Sequence, residues 1–264
     1  MPLTPFQERL AGLLATNRDF ESYLAGGAAL HLDPNTHRFS NDLDYFHDSE
    51  ERVAVAFDED RQLIEAEGLT LDLEMAQPGF IRAIVSEGTQ KTKVEWAHDS
   101  AWRFLPPVKD PRVGFRLHPV DLAVNKLLAL VGRDEPRDFL DILDIDRRLV
   151  PLGALCWAAA GKDPGFTPLS LLDLSRRRGK YRPEDFARLN LVEPVDLQEV
   201  KARWLEMLDQ AETFIRSRPP EEIGCLYYSP QREGFVAPVG EDPPDAVPHF
   251  GRPGGILPRL LEKG

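Results

Sequence analysis

Phe6, Leu10, Leu13 and Leu14 recur at helical spacing over residues 4–15, so the chain is predicted to open with an amphipathic helix. The period then changes. Residues 20–25 form a short apolar segment bounded by Asp19 and the pair Gly26-Gly27, which fits a strand running into a tight turn, and residues 28–32 read as the helix that follows. A second strand is expected over residues 41–46, with Leu43 facing away from Asp42 and Asp44. A helix at residues 53–67 then precedes three extended segments, 69–75, 80–86 and 92–96, separated by Pro78-Gly79 and Glu87-Gly88.

Past Pro119 the helical period takes over, at residues 120–131, 136–149, 152–160, 169–176 and 197–215. From Pro219 onward the breakers Pro219-Pro220, Pro243-Pro244, Pro248, Pro253 and Gly254-Gly255 argue against long helices and central strands. The pattern therefore predicts an α+β fold, a mixed sheet flanked by helices followed by a mainly helical C-terminal half. Three stretches are expected: an α/β core over residues 1–118, a helical region over 119–218 that completes the site, and an irregular Pro/Gly-rich tail over 219–264. Tyr227, Tyr228, Phe235 and Phe250 are the side chains available to pin that tail to the body.

Composition narrows the class. With 42% hydrophobic and 29% charged residues the 264-residue chain reads as globular, and no apolar stretch approaches the roughly 20 residues needed to cross a bilayer. The first residues lack the basic start and apolar core of a secretory signal, and Cys156 and Cys225 make neither a metal-binding nor a disulfide pattern. A cytoplasmic location is the expectation. A net charge of −12 argues against a surface built broadly for nucleic acid, leaving room for a local basic patch.

The chemistry is concentrated in two places. Around the first, alternation puts the carboxylates of Asp42 and Asp44 on one strand face while Leu43 anchors the other, and such a pair is electrostatically unfavourable until a divalent cation joins it. The Gly26-Gly27 turn opening a helix offers backbone N–H groups to phosphate oxygens, and Ser40 adds a hydroxyl. Taken alone, an Asp-x-Asp is more often a surface alternation and a Gly-Gly more often a plain turn; their combination at this separation is selective. Glu95 is a third acidic candidate, although Lys93 and Glu95 on one face also suit an ordinary exposed strand.

The second place is the hairpin predicted around Gly132, with Lys126 before it and Arg133, Arg137, Asp138 and Asp141 after it. Lys126 supplies a compact charge, and Arg133 and Arg137 supply planar forks, for phosphate oxygens or a carboxylate. In isolation each belongs to a solvated salt-bridge face. Lys126, however, lies inside the apolar run Leu122, Ala123, Val124, Leu127, Leu128, Leu130, where an unpaired ammonium is costly. Asp138 and Asp141 are three apart and share a helix face. The run Arg176-Arg177-Arg178-Gly179-Lys180-Tyr181-Arg182 is a candidate basic track, and equally a solvated loop.

The Gly-Gly-x-Ala-Leu turn, the His37-Arg38-x-Ser40-x-Asp42-x-Asp44 segment, Lys126 and the block Arg137-Asp138-Phe139-Leu140-Asp141 together resemble the AbiEii/AbiGii-type toxin nucleotidyltransferases of the minimal, pol-β-like superfamily. The resemblance runs from Tyr23 to about Arg148. It implies that Asp42 and Asp44 hold magnesium, with two ions expected and Glu95 a weaker ligand. It further implies that Gly26, Gly27, Arg38 and Ser40 hold the triphosphate, that Lys126 and Arg137 contact phosphate, and that Asp141 completes the site. The implied activity is transfer of NMP from an NTP such as ATP to an acceptor hydroxyl, with tRNA among the acceptors. A cognate antitoxin is the implied partner, and a toxin–antitoxin or phage-defence system the setting. Asn41 departs from the pattern, which commonly carries an apolar residue there. A small-molecule nucleotidyltransferase and a non-catalytic regulatory protein on the same fold are the competing readings.

Overall fold

The computed structural model describes residues 3–32, 37–240 and 242–258. Helix α1 (Pro5–Leu14) starts where Thr4 accepts from the Gln7 amide and the Gln7 side chain accepts from that of Thr4, with Pro5 in the first turn. It buries Phe6, Leu10 and Leu14, and Gln7 reaches inward to donate to Ser40 O and Thr92 Oγ1. β1 (Ser22–Ala25) runs directly into α2 (Gly26–Leu30), and β2 (Asp42–His47) follows. Ser49 caps α3 (Glu50–Ala66), so this helix begins one turn before the sequence pattern indicates.

The strands β3 (Thr70–Gln77), β4 (Phe80–Glu87) and β5 (Gln90–His98) form consecutive hairpins. Three short strands that the pattern did not indicate come next: β6 (Trp102–Arg103), β7 (Val108–Asp110) and β8 (Gly114–Arg116). The main sheet has seven strands in the order β3-β4-β5-β2-β1-β8-β7. β2 is parallel to β5 and β1 to β8, and the other neighbours are antiparallel, which makes the sheet mixed as expected.

One face of this sheet carries Leu43, Tyr45, Val94 and Trp96 into a core shared with Leu10 and Leu14 of α1 and Ile64 of α3. Beneath it Asp60 is fully buried, ion-paired with Arg18 and accepting from Trp96 Nε1 at 2.7 Å and Asn17 Nδ2 at 2.9 Å, so the turn after α1 is locked to α3 and β5. The opposite face presents Asp42 and Asp44 towards the helices.

Those helices are α4 (Pro119–Gly132), α5 (Pro136–Arg148), α6 (Leu152–Lys162), α7 (Pro168–Arg176), the short α8 (Pro183–Phe186) and α9 (Leu197–Ser217). α6 is apolar on all sides, as befits the middle of a bundle, and packs against α4, α7 and α9. Leu127, Phe139, Leu155, Trp157, Leu171, Trp204 and Leu208 form this second core. None of the described helices is long and apolar enough to cross a membrane.

The segment after Pro219, expected to be irregular, is ordered into strands. β9 (Cys225–Ser229) lies between β10 (Gly234–Val236) and β11 (Val247–Phe250), and β12 (Arg252–Pro253) pairs with β6. Pro248 and Pro253 fit because β11 and β12 are edge strands, where a missing N–H costs no ladder bond. The small sheet is held on α6 by backbone-to-backbone contact: a Cβ on Gly161 would lie 2.5 Å from Gly224 O, and Gly224 N donates to Trp157 O. His249 Nε2 lies 2.9 Å from Phe104 O, and Ile256 N also donates to that carbonyl. The tail thus buttresses residues 101–105, whose amides at Phe104 and Leu105 are accepted by Asp121 in the first turn of α4.

Candidate active site

Parallel register between β2 and β5 sets Asp42 beside Lys93 and Asp44 beside Glu95, while antiparallel pairing sets Arg82 of β4 beside Glu95. Three carboxylates therefore share one sheet face, as alternation anticipated for two of them. Lys93 Nζ bridges two of them, 3.2 Å from Asp42 Oδ2 and 2.9 Å from Glu95 Oε1, and Arg82 Nε donates to Glu95 Oε1 at 2.8 Å. Lys93 was not singled out from the sequence, because only the register reveals that it faces Asp42.

Among the described residues no cation lies in ion-pair contact with Asp44. Burial, followed by the charges of Asp42 and Glu95, pushes its carboxyl up to about 7 against the pull of Lys126 and Lys93. Burial also acts on Asp42, but Lys93 and Arg137 outweigh it and hold that carboxyl below the ordinary range. The set Asp42, Asp44 and Glu95 supplies the oxygen-only donors that suit a magnesium-type cation, with Asp44 the member that no described cation pairs.

The glycine turn is explained by space. Gly26 has φ +62°, and a Cβ there would sit 1.8 Å from Asp44 Oδ2. Only glycine lets the turn pass over that carboxylate. A Cβ on Gly27 would lie 3.0 Å from the Arg38 guanidinium and 3.2 Å from Ser40 Oγ. Ser40 Oγ is 3.1 Å from Asp42 Oδ1 and 3.1 Å from Asp42 O, so the hydroxyl donates to Asp42 and orients it. Asn41, the departure noted above, accepts at Oδ1 from Asn190 Nδ2 at 2.8 Å and links the approach to β2 with the chain before α9.

On the helix side Asp141 is completely buried at the centre of an ion-pair cluster. Arg38 donates to it bidentately at 2.8 and 2.7 Å, Lys126 Nζ lies 2.8 Å away, and His31 Nε2 lies 3.1 Å away. Burial alone would raise the Asp141 carboxyl, but Lys126 and Arg38 hold it well below the ordinary carboxylate range. Lys126 also contacts Asp138 Oδ1 at 3.0 Å, and Arg133 Nε donates to Asp138 Oδ2 at 2.8 Å. Arg38 and Asp141, two of the expected site residues, thus pair with each other and position Lys126. Arg137 approaches Asp42 Oδ2 at 3.6 Å, and among the described residues its buried Nε has no hydrogen-bond partner.

His31, His37 and Asp141 bring one ligand atom each to within 4.8 Å of one another. The Arg38 guanidinium and Lys126 ammonium on the same carboxylate make this an unfavourable place for a cation, in contrast to the Asp44 corner. A cavity of about 300 Å3 opens beside Gly26, Phe46 and Lys126. A larger one, about 860 Å3, lies between α5 and α9 and is lined by none of the carboxylates of the sheet. Of the basic run, Arg178 Nε donates to Leu130 O at 3.1 Å, capping the end of α4, Tyr181 is buried with its hydroxyl on Asp134, and Arg176 pairs with Glu212. The run braces helices more than it offers a continuous track.

No protein-family model matches the chain, and no curated protein does. Solved structures match it. A Helicobacter pylori protein assigned to the nucleotidyltransferases is similar over 80% of this chain and 94% of its own, with a TM-score of 0.50 at 18% identity. MenT4, a nucleotidyltransferase toxin from Mycobacterium tuberculosis, is similar over 82% of this chain and 83% of its own, with a TM-score of 0.54 at 18% identity. The chain has a nucleotidyltransferase fold. Within that fold, the seven-stranded mixed sheet carries the carboxylates and the helical half carries the cations that face them.

Two measurements check this electrostatic layout. Asp141→Asn leaves Arg38 and Lys126 buried without their counter-ion and should cost about 3–5 kcal/mol in urea unfolding at pH 7. Because the folded carboxyl sits below its unfolded value, that contribution is complete above about pH 4 and is lost as the pH falls through the folded value. The gap between wild type and variant should therefore shrink on acidification below about pH 4. Lys93→Ala should tighten manganese binding severalfold by isothermal titration, since the ammonium occupies the space between Asp42 and Glu95; equal or weaker binding contradicts competition between Lys93 and the metal.

Proposed function

We propose that the chain is a metal-dependent nucleotidyltransferase that transfers NMP from an NTP to an acceptor hydroxyl, and that it acts as a toxin on RNA such as tRNA. The observation that carries this reading is the convergence on one cleft of Asp42, Asp44 and Glu95 from the sheet with Lys126 and Arg137 from the helices. Asp42, Asp44 and Glu95 would hold the cation. A divalent ion bound there supplies charge neutralisation of the triphosphate and makes an attacking hydroxyl more acidic.

The remaining work falls to the side chains. Gly26 keeps the turn clear of Asp44, and Ser40 fixes the Asp42 carboxylate. The Arg137 guanidinium and the remaining N–H of Lys126 bind phosphate oxygens, in positions set in advance by Asp42, Asp138 and Asp141. Preorganised donors of this kind lower the barrier because they need no rearrangement as charge moves. The acceptor oxygen bonds to the α-phosphorus, the bond to the β-phosphate oxygen breaks, pyrophosphate leaves, and the hydroxyl proton passes to solvent. The toxin role draws on MenT4, described as a nucleotidyltransferase toxin, and on the resemblance of the motif segments. A cognate antitoxin is the partner that such a role entails, and a surface covering the cleft its natural target.

Incubation of the purified protein with magnesium, total RNA and each α-labelled NTP should label RNA. Asp42→Asn should reduce labelling by about a hundredfold or more while leaving thermal unfolding close to wild type. Label appearing only on small hydroxyl compounds would favour the small-molecule reading. The absence of transfer to any acceptor from all four NTPs, with NTP binding demonstrated, would favour a regulatory protein.

A further inference from the structure

We propose that the cavity between β2 and α4 is a nucleobase pocket in which Asn125 selects the base, favouring nucleotides with an amino group at the pyrimidine 4-position or purine 6-position over those with a carbonyl there. The inference rests on the nucleotidyltransferase reading and adds which nucleotide the site takes.

The cavity adjoins the carboxylates. Gly26, which passes over Asp44, forms part of its wall, and Phe46 lines it from the same strand face as Asp42 and Asp44, about 7 Å beyond Asp44 along β2. α4 supplies Leu122, Asn125, Lys126 and Ala129, which share a helix face at spacings of three and four. The volume of about 300 Å3 is at the lower end for ligand pockets, as suits a base and sugar whose phosphates lie outside at the metal end.

Phe46, Leu122 and Ala129 offer apolar contact to any base and discriminate little. The cations lining the cavity are engaged elsewhere, Lys126 by Asp138 and Asp141 and Arg133 by Asp138. Asn125 is the one uncharged polar side chain among the lining residues. Its orientation is imposed by Asp99: Asn125 Nδ2 donates to Asp99 Oδ2 at 3.2 Å, the oxygen that also accepts from Lys162 Nζ at 2.8 Å. Asp99 is itself fixed by its amide, which donates to His47 O, and by Ser100 N, which donates to its Oδ1. A carboxylate facing an ammonium only accepts, so the Asn125 amide nitrogen must face Asp99 and its carbonyl Oδ1 turns the other way. A carbonyl acceptor held in a pocket pairs with an exocyclic amino group and opposes a keto oxygen.

CTP and UTP differ in the 4-substituent and in the proton at the neighbouring N3, and are the sharpest probes. Titration of the full chain with each in calcium, which supports binding and suppresses turnover, should show CTP binding about tenfold or more tighter than UTP, with ATP likewise ahead of GTP. Asn125→Ala should bring the CTP to UTP ratio close to one by weakening CTP. Asp99→Asn keeps the Asn125 amide but frees its orientation, and it should narrow the ratio even if the alanine variant folds poorly. Equal binding of CTP and UTP by wild type, tighter UTP, or a ratio unchanged in both variants would overturn the assignment of Asn125 while leaving the nucleotidyltransferase reading in place. Failure of all four nucleotides to bind with metal present would instead remove that underlying reading.

Discussion

The cleft depends on a single buried carboxylate. Asp141 is without solvent contact, and an ionised group in that position is tolerable only when cations and hydrogen bonds replace the lost water. Arg38 comes to it from the segment leading into β2, Lys126 from α4 and His31 from the end of α2. α2 contributes Ala28 and Ala29 to the core under the sheet and α5 contributes Phe139 and Ile142 to the helical core, so one residue of α5 helps fix where the sheet half meets the helical half. The distance across the cleft, the direction in which Lys126 points and the path of the chain towards Asp42 follow from that contact.

The cleft that results is polarised. Asp42, Asp44 and Glu95 lie on the sheet face, where Lys93 and Arg82 offset part of their charge, and Lys126 and Arg137 come from the helices, with Arg137 reaching across towards Asp42. Neither side is satisfied by a simple ion: the sheet side attracts a cation and the helix side an anion. A metal–triphosphate complex carries both signs in one ligand, whereas free magnesium or free phosphate answers only half of the field. The raised Asp44 carboxyl is a local expression of the same incomplete neutralisation.

Local periodicity made part of this legible. A period of two put Asp42 and Asp44 on one face, and the combination of glycines, Ser40, Lys126 and Asp141 pointed to one site, because each signal lies within a few residues or within one motif. What escaped was long-range. Lys93 became visible only through the parallel register of β2 with β5, which is set by a crossover containing α3, β3 and β4. Asn125 looked like an ordinary helix residue until Asp99 was beside it. Ser40 and Arg38 were expected to face phosphate, and in the structure they bond to Asp42 and Asp141, since a motif names the participants without saying which of them touches the others. The tail was expected to be irregular from its prolines, which are tolerated where strands have a free edge.

That tail couples the cleft to the order of synthesis. His249 and Phe104 are 145 residues apart in sequence, and the loop they secure is tied through Asp121 to the first turn of the helix bearing Asn125 and Lys126. At translation rates of about 5–20 residues per second, roughly 7–30 s separate the appearance of the two ends of this contact. Over that interval the nascent chain contains every carboxylate of the sheet but not the support of the helix that faces them. A growing polypeptide therefore holds these acids in an unfinished frame until the strand bearing His249 has been made.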